Sequence, residues 1–237
     1  HRLYFTAGNS AKARILKRYF QSSVDPDRGW AVAALSGTLD LSLFKRKLVL
    51  QLIKSRVDPY LFDASYDYVG DLSETVSLLW PTEQGFQAQA ALPSLSELIE
   101  KLGASSQKQT QTYLAGLLDQ MTPIQRWALL KLGTGGLRIG MSARSVKKTL
   151  ADFGGVDLQE IEQLWHAIEP PYTELFQWLE NKTPKPDITG KVAFMPLMLA
   201  HPIDDATKTL LNPEDWLAEW KYDGCLLYTS PSPRDIS

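Results

Sequence analysis

Apolar residues recur at helical spacing through the first 180 positions, and this pattern restricts the fold more than any other property of the sequence. In residues 10–20, Ile15, Leu16, Tyr19 and Phe20 form one stripe, with Ser10 as the expected cap. Further helices are predicted over 42–55, 71–80, 94–103, 122–132, 142–153, 157–168 and 171–179. Strand-like alternation is absent, so this region should be nearly all α.

Several helix ends carry recognisable signals. Ser94 and Glu97 have the spacing of a capping box, and Gly103 is expected to end that helix. Thr122 precedes Pro123, which suits the first position of a helix. These signals support the helical interpretation independently of the apolar pattern.

The composition changes near residue 181. Residues 181–187 hold two prolines and resemble a linker, and Trp216 to Lys221 suits a buried strand. We therefore predict a mainly all-α, multi-helix domain over 1–183 and a short α/β beginning of a second domain over 184–224. Residues 225–237 are polar and rich in proline and serine, typical either of a disordered tail or of foreign sequence.

Composition excludes several protein classes. Of the 237 residues 44% are hydrophobic, and Cys225 is the single cysteine, so a disulfide scaffold and wholesale disorder are excluded. No uncharged apolar run reaches the roughly 18 residues of a membrane-spanning helix. No Cys/His cluster suggests a protein-bound metal. We expect a cytoplasmic monomer, and the initial His1 leads us to expect that the true N-terminus is missing.

Charge alternates in blocks along the chain. Residues 1–60 have a net charge of +7, 61–104 of −6, 105–150 of +6 and 151–237 of −9. This arrangement allows a basic face, the usual footprint of a polyanion site, on a nearly neutral protein. Solvated helix faces would give the same pattern.

A possible nucleophile stands in the segment Glu219 to Gly224. Lys221, followed two residues later by Asp223 and then Gly224, has the signature of a lysine that accepts a nucleotide. Its amine must be neutral to attack the α-phosphorus, so the site must lower its pKa by desolvation or nearby positive charge. The same residues also suit an ordinary type I turn after a strand.

A glycine-rich segment lies between two predicted helices in the second basic block. Its candidate ligand contacts are the backbone at Gly135, Gly136 and Gly140, Arg138 as a phosphate clamp, and Ser142 as the cap of a helix that favours an anion. The surrounding cations are Lys131, Arg144, Lys147 and Lys148. The segment suits a hairpin that grips a nucleic-acid backbone, and equally a plain interhelical loop.

Together these segments resemble the ATP-dependent DNA ligases of the bacterial type, which have an all-helical N-terminal DNA-binding domain. The resemblance rests on residues 28–37, 135–142, 195–200 and 219–224, in that order, and spans about residues 10 to 224. It identifies the second domain as the start of a nucleotidyltransferase, or adenylation, domain.

The resemblance implies that Lys221 takes AMP from ATP, that AMP passes to the 5′-phosphate of a nick, and that the 3′-hydroxyl then displaces it. Glu219, Trp220, Asp223 and Gly224 would contact the nucleotide, and Mg²⁺ would offset the phosphate charge. Arg138 and its basic neighbours would hold nicked double-stranded DNA through its phosphates, independently of sequence.

The sequence departs from this family directly after the lysine motif. An arginine is expected within two residues of Gly224, but Cys225 and Leu226 follow. We therefore expect a truncated gene with foreign sequence over 225–237, and a fragment that binds DNA without sealing nicks. Two alternatives stay open: a stand-alone helical DNA-binding or scaffold module with an accidental lysine motif, and an RNA ligase or capping-type nucleotidyltransferase.

Overall fold

The computed structural model describes residues 1–39, 45–82, 92–135, 137–191 and 212–215. The chain divides into two compact units, His1–Pro196 and Leu197–Ser237. Of the second unit, the description covers only Asn212 and the 3₁₀ turn Pro213–Asp215. Within the described ranges no helix is both long and apolar enough to cross a membrane.

The first unit is built from helices, and none of the described residues forms a strand. The helices are α1 Arg2–Phe5, α2 Asn9–Ser22, α3 Asp27–Ser36, α4 Arg46–Lys54, α5 Pro59–Val69, α6 Leu72–Leu79, α7 Leu95–Ala104, α8 Gln107–Gln120, α9 Pro123–Gly133, α10 Ala143–Gly154, α11 Leu158–Trp165 and α12 Thr173–Leu179. The prediction of a mainly all-α fold is confirmed. The predicted α/β beginning over 184–224 lies mostly outside the described residues.

Two predicted helix starts are confirmed at atomic detail. The capping box of α7 is complete, because Ser94 accepts from the Glu97 amide and the Glu97 carboxylate accepts from the Ser94 amide. Helix α9 begins at Pro123 behind Thr122. The predicted stop at Gly103 is wrong, since α7 continues to Ala104 before the chain turns away.

Helix α2 differs from its prediction in both its cap and its buried face. It begins at Asn9 after Gly8, with no side-chain cap, so Ser10 is not the cap. Lys12, Leu16 and Phe20 form its buried face, one turn apart, while the predicted stripe members Ile15 and Tyr19 stay half-buried. The stripe was misplaced because a lysine occupies one of the inward positions.

The helices enclose two hydrophobic clusters. The central core belongs to α4 to α9 and includes the fully buried Val49, Phe62, Val76, Leu118 and Leu130. The terminal core belongs to α2, α3 and α10 to α12 and includes the equally buried Phe20, Val32, Leu150, Ile161 and Phe176. The chain therefore passes from the terminal core to the central core after α3. It returns to the terminal core between α9 and α10.

A buried arginine ties the two ends of the terminal core together. Arg28 of α3 donates to Asp25 at 2.7 Å and to Glu180, just after α12, at 2.5 Å. Its guanidinium also lies 4.3 Å from the centre of the Phe176 ring. The Arg28 hydrogen bond lowers the pKa of Glu180 to about 2. This cluster fixes the end of the helical unit to its beginning.

Candidate nucleic-acid interface

The glycine-rich segment forms the connection between α9 and α10, here called the 134–142 loop. It leaves the central core after Leu130 and enters the terminal core before Val146. Gly135 and Gly140 have φ of 69° and 66°, in the left-handed region that suits glycine. Gly136, the other predicted backbone contact, lies outside the described residues.

A lysine that the sequence analysis did not select holds this loop in place. Lys12 is buried, and its ammonium donates to the carbonyl of Ile139, which is itself 4% exposed. A methyl group added at Gly140 would lie 2.8 Å from the Lys12 Nζ atom. Glycine at position 140 therefore leaves space for this anchor. The sequence signal that could have identified Lys12 is its position as a lysine on the apolar side of an amphipathic helix.

The far end of the loop is fixed by the start of α10. The Ser142 hydroxyl accepts from the Ser145 amide at 3.1 Å, which confirms Ser142 as the helix cap. The first residues of α10, Ala143 and Arg144, are exposed. The amide groups and dipole at such a helix start favour an approaching anion.

Arg138 is exposed and directly precedes Ile139, whose carbonyl accepts from Lys12. Across the part of the chain that the structure describes, its guanidinium has no ion-pair partner. An open pocket with a volume of about 630 Å³ lies beside Arg138, between the loop and the end of α3 at Leu35 and Gly37. An exposed guanidinium beside an anchored backbone position and an open pocket can bind a phosphate.

The three cations of α10 occupy different environments. Arg144 is exposed, and its guanidinium lies 3.2 Å from a carboxylate oxygen of Glu162. The Lys148 ammonium lies 3.3 Å from a carboxylate oxygen of Asp152. The Lys147 ammonium lies 5.6 Å from the centre of the Trp165 ring. Arg144 and Lys148 are thus partly neutralised, and Arg138 is the candidate with the least compensated charge.

Lys131 does not belong to this surface. It is only 8% exposed, and its ammonium forms an ion pair with Asp71, the cap residue of α6. Burial raises the pKa of Asp71, but hydrogen bonds from Lys131 and from the Glu74 amide outweigh this effect and leave the pKa below its ordinary value. The prediction that Lys131 contacts DNA is corrected here: its charge is used to join α9 to α6.

Glu219, Trp220, Lys221, Asp223 and Gly224 all lie outside the described residues. Their assignment rests on the sequence motif.

Comparison with known proteins identifies the helical unit. The family model described as DNA ligase N terminus matches residues 2–151, from α1 into α10. The chain belongs to this DNA ligase family. The matched residues include both anchors of the 134–142 loop, Lys12 and Ser142, as well as Arg138. In the DNA ligase family DNA is the expected partner. No curated protein matches the chain.

Proposed function

We propose that this chain is the DNA-binding part, with the start of the adenylation domain, of a bacterial-type ATP-dependent DNA ligase. The observation that carries the proposal is the exposed Arg138, which directly precedes Ile139, the point at which Lys12 holds the loop; the loop then ends at the helix cap Ser142. A loop fixed in this way loses little conformational entropy when it binds, so its contacts contribute efficiently to affinity.

The contacts that this loop offers are of the kind that bind phosphates. A guanidinium, backbone amides and a helix start recognise the charge and shape of a phosphodiester and do not distinguish bases. Binding should therefore be independent of sequence and weaken as salt rises, because bound counterions are released from the DNA. The preference for a nick would come from the complete enzyme as it surrounds the break.

In the full-length enzyme Lys221 would carry the adenylate. ATP would supply AMP and Mg²⁺ would offset the phosphate charge, with Glu219, Trp220, Asp223 and Gly224 in contact with the nucleotide. The present chain has Cys225 and Leu226 where the resemblance leads us to expect an arginine. We propose that it binds DNA and does not seal nicks.

The binding half of this proposal is tested with a fluorescent nicked duplex. Anisotropy titrations at several salt concentrations should show binding at low salt, and R138Q should weaken it by about tenfold, as expected for a lost charged hydrogen bond. K108Q removes an exposed charge from α8, away from the loop, and serves as the matched control. Failure of the unaltered chain to retain nicked duplex at low salt would contradict the proposal.

The chemical half is tested separately with radiolabelled ATP and Mg²⁺. The present chain should form no covalent AMP adduct. In a chain extended by the remaining adenylation domain, label should appear and should be abolished by K221A. Labelling of the present chain, or K221A-independent labelling of the extended one, would overturn the assignment.

A further inference from the structure

The first helices carry more positive charge than their packing uses. Six lysines and arginines lie in residues 1–39. Three of them have internal partners: Lys12 donates to the Ile139 carbonyl, Lys17 donates to the Asp152 carbonyl at 2.7 Å, and Arg28 pairs with Asp25 and Glu180. The other three, Arg2, Arg14 and Arg18, make no ion pair with any residue in the described ranges.

These three arginines line a single open pocket. Its volume is about 510 Å³, and the remaining walls come from Ala11, Ile15, Tyr19 and Ser22. Among the residues that the structure describes, no carboxylate lines this pocket. The two acids of residues 1–39 are occupied elsewhere, since Asp25 pairs with Arg28 and Asp27 accepts from Ser96. The charge in the pocket is therefore not compensated locally.

The arrangement is unfavourable unless an anion is present. Arg14 and Arg18 lie one helical turn apart, and like charges at this spacing destabilise a helix. Three planar guanidiniums around a partly apolar pocket suit the several oxygens of a phosphate, which arginine binds in a bidentate manner.

We propose that Arg2, Arg14 and Arg18 form a phosphate-binding site. It is distinct from the 134–142 loop, because Arg14 and Arg18 lie on another face of α2 than Lys12. They follow Lys12 by two and six residues. At roughly 100° per residue they lie on the opposite side of α2 from the loop anchor. The ligand chemistry is a phosphate group, supplied either by a DNA strand or by a small free phosphate.

The first arm of the test uses inorganic phosphate as the probe. Titration monitored by isothermal calorimetry, or by the arginine side-chain NMR signals, should show saturable binding that R14Q/R18Q weakens at least about fivefold. R14K/R18K should retain part of the binding. K101Q/K108Q removes the same charge from exposed positions of α7 and α8 and should bind phosphate as the unaltered chain does.

The second arm identifies the source of the phosphate. With nicked duplex, R14Q/R18Q should reduce the slope of log affinity against log salt by about 2 relative to K101Q/K108Q if DNA phosphates occupy the site. If R14Q/R18Q loses phosphate binding but leaves the slope of log DNA affinity against log salt unchanged, the site binds a small free phosphate. Equal behaviour of R14Q/R18Q and K101Q/K108Q in both arms overturns the proposal.

The outcome is separable from that of the DNA-binding proposal. R138Q should lose DNA affinity while it still binds inorganic phosphate, because Arg138 lies on the loop and not in this pocket. A chain that fails to bind duplex would contradict the proposed function, and the phosphate arm would still decide the arginine site.

Discussion

At the scale of single residues, Lys12 supports the 134–142 loop from inside the protein, so it should affect the proposed DNA binding through Arg138. We expect K12M to weaken binding of nicked duplex about fivefold, roughly the contribution of one hydrogen bond. In a chain that already carries R138Q, the same change should alter affinity by less than about twofold, since the contact that Lys12 positions is gone. Anisotropy titrations of the four chains measure this coupling.

Lys17 supplies the matched control for that experiment. It lies on the same helix and makes the same kind of bond, but to the Asp152 carbonyl near the end of α10. K17M should leave DNA affinity close to that of the unaltered chain. If K12M weakened binding equally with and without Arg138, Lys12 would contribute only general stability.

Gly29 shows how closely two backbones approach in the terminal core. A methyl group added there would lie 1.4 Å from the Pro171 carbonyl oxygen, so α3 would have to move. We expect G29A to lower the free energy of unfolding by about 3 kcal/mol, at the upper end of overpacking effects. Urea denaturation measures the change.

Gly116 of α8 provides the contrasting substitution. A methyl group added there meets no described atom within 4 Å outside the backbone of its own helix. G116A should therefore be neutral or stabilise the protein by up to about 1 kcal/mol. Similar destabilisation by both substitutions would mean that the contact with Pro171 does not determine the effect of G29A.

At the level of helices, the Lys131–Asp71 pair joins α9 to α6. K131M should lower the free energy of unfolding by about 1–3 kcal/mol, because Asp71 loses its charged partner in a half-buried site. It should leave the salt dependence of DNA binding unchanged, whereas R138Q should reduce the slope by about 1. A reduced slope for K131M would restore Lys131 as a DNA contact.

Helix prediction succeeded where an end signal and an apolar pattern coincided, as in α7 and α9. Helix α8 was not predicted, because its first half, Gln107 to Thr112, is polar. Its capping box, formed by Ser106 and Gln109, was visible in the sequence and would have indicated the helix start. Local signals thus mark the ends even where the apolar stripe is short.

For the molecule as a whole, the Arg28 cluster makes stability depend on pH. Glu180 has a pKa of about 2 in the folded chain against an ordinary value of 4.5, since Arg28 hydrogen-bonds to its charged form. The unfolded chain binds the proton more readily, so the free energy of unfolding should fall as the pH drops through this range. Urea denaturation at successive pH values measures this decline.

E180Q removes the titrating group from that cluster. The variant should be less stable at pH 7, by about 1–3 kcal/mol for a lost charged hydrogen bond, and its stability should decline less between pH 4.5 and 2. Circular dichroism at pH 7 establishes that the variant is folded before the comparison. Parallel pH profiles for the two chains would show that Glu180 does not contribute the acid sensitivity.

The amino-acid sequence alone determined the all-α class, several helix ends and the glycine-rich loop with Arg138, because these depend on neighbours in the chain. Only the tertiary structure decided which cations are available. Lys12, Lys131 and Arg28 are buried and paired, while Arg2, Arg14 and Arg18 are left facing one pocket. The partners of these charges lie up to 152 residues away. Burial and pairing depend on long-range packing, which no local pattern specifies.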